Sequence, residues 1–215
     1  MQIYRNFIQE IDAIDNGVPM FEAGIEPAYK IGTHISARIG KFNPSWEEEG
    51  EFSIDERFEQ AMKAVGEEFS KNVLSIGGSW IKAREYVRKA LLNAKSIHKS
   101  GQILLLERFC PWKVHLVELE KEHQLEGIAK LVIWNENTTS WRIAGVPLNP
   151  DSFLGRKFLP TPWRGLRDEE LSKEAGIPGL IFVHHTGFIG GASSKEAAFA
   201  MAIKSIEFPE SKNES

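Results

Sequence analysis

The chain has 215 residues, a formal charge of −4 and a pI near 5.9, so it holds one or two domains, and its acidity excludes diffuse, whole-surface binding of a polyanion. With 42% hydrophobic, 26% charged and 10% aromatic residues it reads as a globular chain, neither disordered nor fibrous. One cysteine, Cys110, excludes an internal disulfide and a cysteine zinc cluster and fits a reducing setting.

No apolar run approaches the ~18 residues of a membrane helix. The first residues lack the composition of a signal or transit peptide, so the expectation is an intracellular protein with no targeting segment in this chain.

Ile3, Phe7, Ile11 and Ile14 predict a helix over 3–16, stopped by Asn16-Gly17. A helix that starts almost at Met1 leaves little room for a cap and points to sequence upstream of it. Pro19, Gly24, Pro27 and Gly32 mark a loop, and 34–42 reads as a short helix. Ile54, Phe58, Met62, Val65, Phe69, Val73 and Ile76 lie on one face of a helix over 54–76, a stripe expected to be core. Gly77-Gly78-Ser79 is expected to break it before a second helix over 80–93.

From residue 101 the pattern changes. Strands are expected at 103–107, 128–134, 141–146 and 180–184, with a hairpin loop over 135–140. Helices are expected at 112–123, 168–175 and 194–206, and a glycine-rich turn at 187–191. The fold class is α/β (α+β), with a boundary near residue 100 separating a helical 1–100 from a mixed-sheet 101–215 and a disordered tail after about 208.

Four features could carry chemistry. Asp12 and Asp15 lie in the last turn of the first helix, continue apolar rows and are expected to be partly buried. The helix dipole disfavours negative charge there, and a metal ion would compensate, as would a plain solvated or helix-ending role. The turn with Gly187, Gly190 and Gly191 could offer backbone N–H groups to an anion, with Ser193 and Glu196 as a capping box for the next helix; a tight turn with no ligand is the other reading.

Arg156-Lys157-Phe158-Leu159-Pro160-Thr161-Pro162-Trp163-Arg164-Gly165-Leu166-Arg167 alternates cations with aromatics, the chemistry that single-stranded nucleic acid demands, although Asp168, Glu169 and Glu170 follow at once, cancel much of the charge and suit the first turn of the next helix, and Trp163 could instead be core. His184 and His185 end a strand, where adjacent side chains diverge, so only one imidazole is expected to reach a given site. His184 is equally readable as a core residue.

The stretches IYRNFIQEIDAIDNG, HISARIGKFNPSW, CPWKVHLVELE, WRIAGVP, LPTPWRGLRDEELSKEAGIPG and IFVHHTGFIGG resemble, in order and over nearly the whole chain, the C-terminal portion of the melanocyte proliferating gene family of the DHH phosphoesterase superfamily. The resemblance implies a metal-dependent 3′ to 5′ RNA exonuclease of nucleus and mitochondrion. Residues 1–100 would be the helical tail of the DHH domain with a connector, and 101–215 the DHH-associated substrate-binding domain. Asp12, with Asp15 as alternate, would be the last metal-ligand motif for Mn²⁺ or Mg²⁺. Arg164, Arg167, Trp163, His184, Gly187, Gly190, Gly191 and Ser193 would bind single-stranded RNA or a nucleotide phosphate.

The chain has no Asp-His-His triplet and carries Ala192 where the related loop often has His. It is therefore expected to be inactive alone. A non-catalytic RNA-end or nucleotide-binding module and a structural remnant are the alternatives. Oligomeric state is open.

Overall fold

The computed structural model describes residues 2–22, 24–26, 28–48, 53–152 and 154–209; the tail expected to be disordered lies almost wholly outside them. The chain divides into two compact units, Met1–Ile81 and Lys82–Ser215.

The first unit is helical. A π-helical turn, Tyr4–Ile8, runs into α1 (Gln9–Asp15), which ends where Gly17 takes a positive φ of 67°. His34 starts α2 (Ile35–Ile39) by accepting the Ala37 amide on Nδ1, and a 3₁₀ turn, Gly40–Phe42, comes next. Ser53 caps α3 (Ile54–Ser75) through the Glu56 amide.

Phe7 meets Phe69 edge-on at 5.6 Å, Glu10 accepts the Ile35 amide and Arg38 pairs with Glu68 at 2.8 Å. The apolar stripe of α3 is not the core it was expected to be. Ile54, Phe58 and Met62 are 70%, 66% and 58% exposed, and Ala61 is the buried residue of the helix. Nor does Gly77-Gly78 break the helix: Ile76–Trp80 forms one wider π-helical turn that leads into α4 (Ile81–Leu92).

The second unit is built on a five-stranded mixed sheet of order β1-β2-β3-β5-β4, from β1 (Ile103–Leu106), β2 (Leu131–Asn137), β3 (Ser140–Gly145), β4 (Leu180–Val183) and β5 (Ile189–Ala192). β1 and β2 are parallel, joined through α6 (Lys113–Glu122), which comes after the short α5 (Ala94–Ile97), and the other pairs are antiparallel. Both faces of β2 are covered, which is why Leu131-Val132-Ile133-Trp134 is continuously apolar rather than alternating.

One core joins Leu104, Leu106, Val132 and Trp134 to Val87 and Leu91 of α4 and Leu116 and Leu119 of α6. This packing draws α4 into the sheet unit, ahead of the compositional change near residue 100. The opposite core joins Ile103, Ile133 and Ile143 to Leu171 of α7 (Asp168–Ala175) and Met201 of α8 (Lys195–Glu207). Small Ala197, Ala198 and Ala202 let α8 lie close. Lys204 of α8 donates to the carbonyls of Ala175 and Gly176 and so closes the end of α7.

The β2–β3 connection is tighter than the expected six-residue loop. The ladder runs to Asn137 and Ser140, because the Asn137 side chain accepts from the Thr139 amide and from two hydroxyls and closes the turn itself.

Arg156, the first cation of the 156–167 stretch, is structural. Its guanidinium donates to both oxygens of Glu120 at 2.7 Å and to the Ala129 carbonyl at 3.1 Å, with Glu120 only 1% exposed. Arg156→Met leaves that carboxylate buried without its cation, so the unfolding free energy should fall by about 3–5 kcal/mol. Urea denaturation checks this against Glu85→Gln, which breaks an exposed pair on α4 and should barely move the midpoint.

Candidate functional site

Asp12 and Asp15 close α1, and both are exposed rather than partly buried. Local donors offset the unfavourable helix end at Asp12. Its Oδ2 accepts the Tyr4 hydroxyl at 2.8 Å and its Oδ1 accepts Asn16 Nδ2 at 3.1 Å. The hydrogen bond to Asp12, reinforced by the carboxylate's charge, raises the Tyr4 phenol above its ordinary pKa. Among the described residues no three His, Cys, Asp or Glu side chains converge as a metal cluster. Mg²⁺ and similar ions take several oxygens, and Asp12 offers those of one exposed carboxylate.

The glycine-rich stretch is a turn leading into a strand. Only Gly187 lies in the turn, at φ 78°, and its amide donates to the His184 carbonyl while its carbonyl accepts the Leu159 amide. Gly190 and Gly191 belong to β5, between the ladders of β3 and β4. The expected anion nest of free amides across 187–191 is corrected accordingly.

The glycines are needed for a different close approach. A Cβ on Gly190 would lie 2.8 Å from Leu159 and 3.0 Å from Met201 in the core; one on Gly191 would lie 2.7 Å from the Phe182 ring and 3.0 Å from Arg142. Ser193 is not the helix cap either: its hydroxyl donates to the Gly179 carbonyl, and Ser194 caps α8 through the Ala197 amide.

Trp163 is buried among Leu159, Leu171 and their neighbours, so its indole is core and not a stacking surface. Arg164 lies against Gly187, with Nε donating to the Leu159 carbonyl at 3.0 Å and its guanidinium over Phe158. Arg167 is exposed over the Phe182 ring. The segment between these arginines bonds to β4 through Gly165 and Leu166, which fixes both cations at the sheet edge.

His184 and His185 lie beyond β4, in the turn, so they do not diverge as strand neighbours. Their rings are 4.2 Å apart, His184 also meets Phe188 edge-on at 4.7 Å, and its Nδ1 bonds Thr186 Oγ1. The structure thus brings Arg164, Gly187 and His184 to one turn, and Arg167 and Gly191 to the neighbouring sheet face. Asp12 belongs to the other unit.

Sequence reasoning missed Arg142 and Phe182. Both are half-buried, and Arg142 lies 5.4 Å above the Phe182 ring. Phe182 looked like an ordinary strand apolar, and Arg142 sat within WRIAGVP without a partner that spacing could reveal.

Residues 1–206 match the family profile described as Uncharacterised protein family (UPF0160), MYG1_exonuc. The chain is 43% identical to the MYG1 protein of Dictyostelium discoideum, over 95% of this chain and 63% of that protein. It is 43% identical to the MYG1 exonuclease of Bos taurus and 42% to that of Homo sapiens, each over 94% of this chain and 52% and 53% of theirs. The chain thus spans just over half to a little under two-thirds of the length of these curated relatives. No solved structure matches. No helix among the described residues is long and apolar enough to cross a membrane.

The Tyr4–Asp12 contact is directly measurable. In Asp12→Asn the acceptor loses its charge, so the phenol should titrate lower than in the wild type. Ultraviolet titration of the tyrosines, with Tyr4→Phe to assign the signal, should show that downward shift; an unchanged Tyr4 would mean the contact is absent in solution.

Proposed function

This chain belongs to the MYG1 exonuclease family, UPF0160, and from that premise we propose that it is the C-terminal portion of a metal-dependent 3′ to 5′ RNA exonuclease of the DHH phosphoesterase superfamily. The observation that carries the reading is the likeness, at 42–43% identity over 94% of the chain, to proteins named exonuclease. The enzyme would act in nucleus and mitochondrion.

In this reading the helical unit supplies Asp12, with Asp15 as alternate, as one oxygen ligand for Mn²⁺ or Mg²⁺, and a further part of the longer enzyme supplies the rest. The open stripe of Ile54, Phe58 and Met62 supports such a partner segment. Beside it lies a cavity of about 510 Å³ lined by Ile11, Ile35, Ile39, Ile54, Phe58 and Val65, apolar surface of the kind that usually marks a contact. The sheet unit grips single-stranded RNA through its arginine-bearing edge.

The purified chain, given single-stranded RNA and Mn²⁺, should bind the RNA without hydrolysing it. Mn²⁺-dependent hydrolysis that disappears in Asp12→Ala would overturn the one-ligand reading. Absence of any RNA affinity would overturn the grip. Hydrolysis that stays absent when a family Asp-His-His segment is fused to the chain would favour the alternative, a non-catalytic RNA-end or nucleotide-binding module.

A further inference from the structure

The first helix opens on a turn wider than an α-turn. The Gln9 amide donates to the Tyr4 carbonyl, five residues back, so Tyr4–Ile8 closes as a π turn before α1 begins. Single π turns of this kind are rare and recur at functional sites. Phe7 is the buried residue of this one, and its edge-on contact with Phe69 holds the turn against α3.

The wide turn sets a register. In a regular α-helix two turns take about 7.2 residues, so side chains eight apart lie about 80° away from each other around the axis. A π turn takes in nearly one residue more, so one wide turn and one ordinary turn together use about eight. Tyr4 therefore returns to the row of Asp12, and its hydroxyl donates to Asp12 Oδ2 at 2.8 Å. An uninterrupted α-helix would turn the two side chains onto different faces.

Asn16 holds the same carboxylate from the other side. Its Nδ2 donates to Asp12 Oδ1 at 3.1 Å and to the Asp12 carbonyl at 2.8 Å, and its backbone amide donates to that carbonyl as well. Each oxygen of Asp12 thus has one local donor. A carboxylate offers about four lone-pair sites, so each oxygen keeps one for a further partner. Asp15, also exposed, receives no side-chain hydrogen bond among the described residues.

Neither feature serves the helix itself: its last turn disfavours a carboxylate, and the π turn departs from the regular ladder. Together they give a carboxylate of fixed orientation, which is what an ion ligand needs. Building on the reading of Asp12 as one oxygen ligand for Mn²⁺ or Mg²⁺, we infer that Tyr4 and Asn16 are positioning residues. They hold the Asp12 carboxylate in one orientation with a lone pair left on each oxygen for the ion, and they single out Asp12 over Asp15. The π turn is the device that delivers the Tyr4 hydroxyl.

The test is nuclear magnetic resonance of the full chain, first without metal and then with Mn²⁺ as a paramagnetic probe. Without metal, the couplings about the Asp12 Cα–Cβ bond should report one side-chain rotamer in the wild type and rotamer averaging in Tyr4→Phe and Asn16→Ala, with Asp15 averaging throughout. Tyr4→Phe keeps the ring and removes only the donor, and unchanged Phe7 and Phe69 signals show that the turn is intact. Asn16 lies outside the turn, so Asn16→Ala tests the other oxygen independently. With Mn²⁺, broadening of the Asp12 carboxyl signal should exceed that of Asp15, and each variant should need roughly tenfold more Mn²⁺ for the same Asp12 broadening. A merely structural role would leave the Asp12 rotamer and the preference over Asp15 unchanged.

A single Asp12 rotamer retained in Tyr4→Phe would overturn the role of Tyr4, and one retained in Asn16→Ala the role of Asn16, with Asp12 still standing as a ligand. An unchanged Mn²⁺ demand in both variants would likewise overturn the inference and spare the ligand. Broadening at Asp12 no stronger than at the exposed Glu174 of α7, or centred on Asp15 instead, would overturn Asp12 as the ion ligand and with it the purpose of the two donors.

Discussion

The sheet unit depends on one buried ion pair. Glu120, at the end of α6, has almost no contact with water, and a carboxylate in that position is tolerable only with its charge met and its lone pairs filled. Arg156 meets it with two parallel hydrogen bonds and places a third on Ala129. The geometry pins the start of an irregular stretch that has no ladder to hold it. Nearby the Arg156 amide donates to Val146, so the stretch is fastened to the end of β3 as well. The residues downstream of Arg156 inherit that position: Leu159 enters the core, its amide bonds Gly187, and its carbonyl receives Arg164. A charge pair remote from the candidate site thus fixes the turn on which His184 and Gly187 stand.

Much of the architecture was legible because local chemistry and packing agreed. The long 3.6-residue stripe over 54–76 and the helical pattern over 168–175 gave α3 and α7, and the structure adds their ends, a Ser53 cap and a left-handed Gly176. Apolar runs of strand length gave β1, β2 and β4. The errors have specific causes. Glycine reads as punctuation, yet Gly77-Gly78 sits inside a π-helical turn and Gly190-Gly191 inside a strand, where close packing from both faces, not chain reversal, requires the missing side chain. The α3 stripe had the period of a core helix, but period identifies an apolar face and not what covers it.

The candidate site was legible in part. Arg167 and Gly191 were recognised in one-dimensional motifs and do share a sheet face, whereas Trp163 from the same motif is core. The two residues that complete that face, Arg142 and Phe182, are separated from them by long stretches of chain, and only register joins them. A spacing argument sees an arginine next to an aromatic in sequence; it cannot see a cation and a ring brought together across β3, β5 and β4. The two histidines failed for the complementary reason. Divergence of neighbouring side chains is a property of strands, and His184 and His185 lie just beyond the strand's end, where the turn brings their rings together at a tilt of 40°.

A net charge of −4 raises a question about any anionic ligand, and distance answers it. At physiological ionic strength, charges more than about 8 Å apart are largely screened when exposed to solvent, so the acidic residues elsewhere set little of the potential at the β4 edge. What counts is the local inventory, which includes Asp168, Glu169 and Glu170 in the first turn of α7 directly after Arg167 and is therefore not purely cationic. There Arg142, Arg164 and Arg167 lie over Phe rings, whereas the arginines of α2, α3 and α4 lie beside carboxylates. Pairing with a carboxylate cancels a cation, but stacking on a ring orients it and leaves its charge intact. An acidic chain can therefore carry a compact arginine-bearing edge without becoming a general polyanion binder, and that edge coincides with the face where Gly191 removes the side chain that would otherwise hold ring and guanidinium apart.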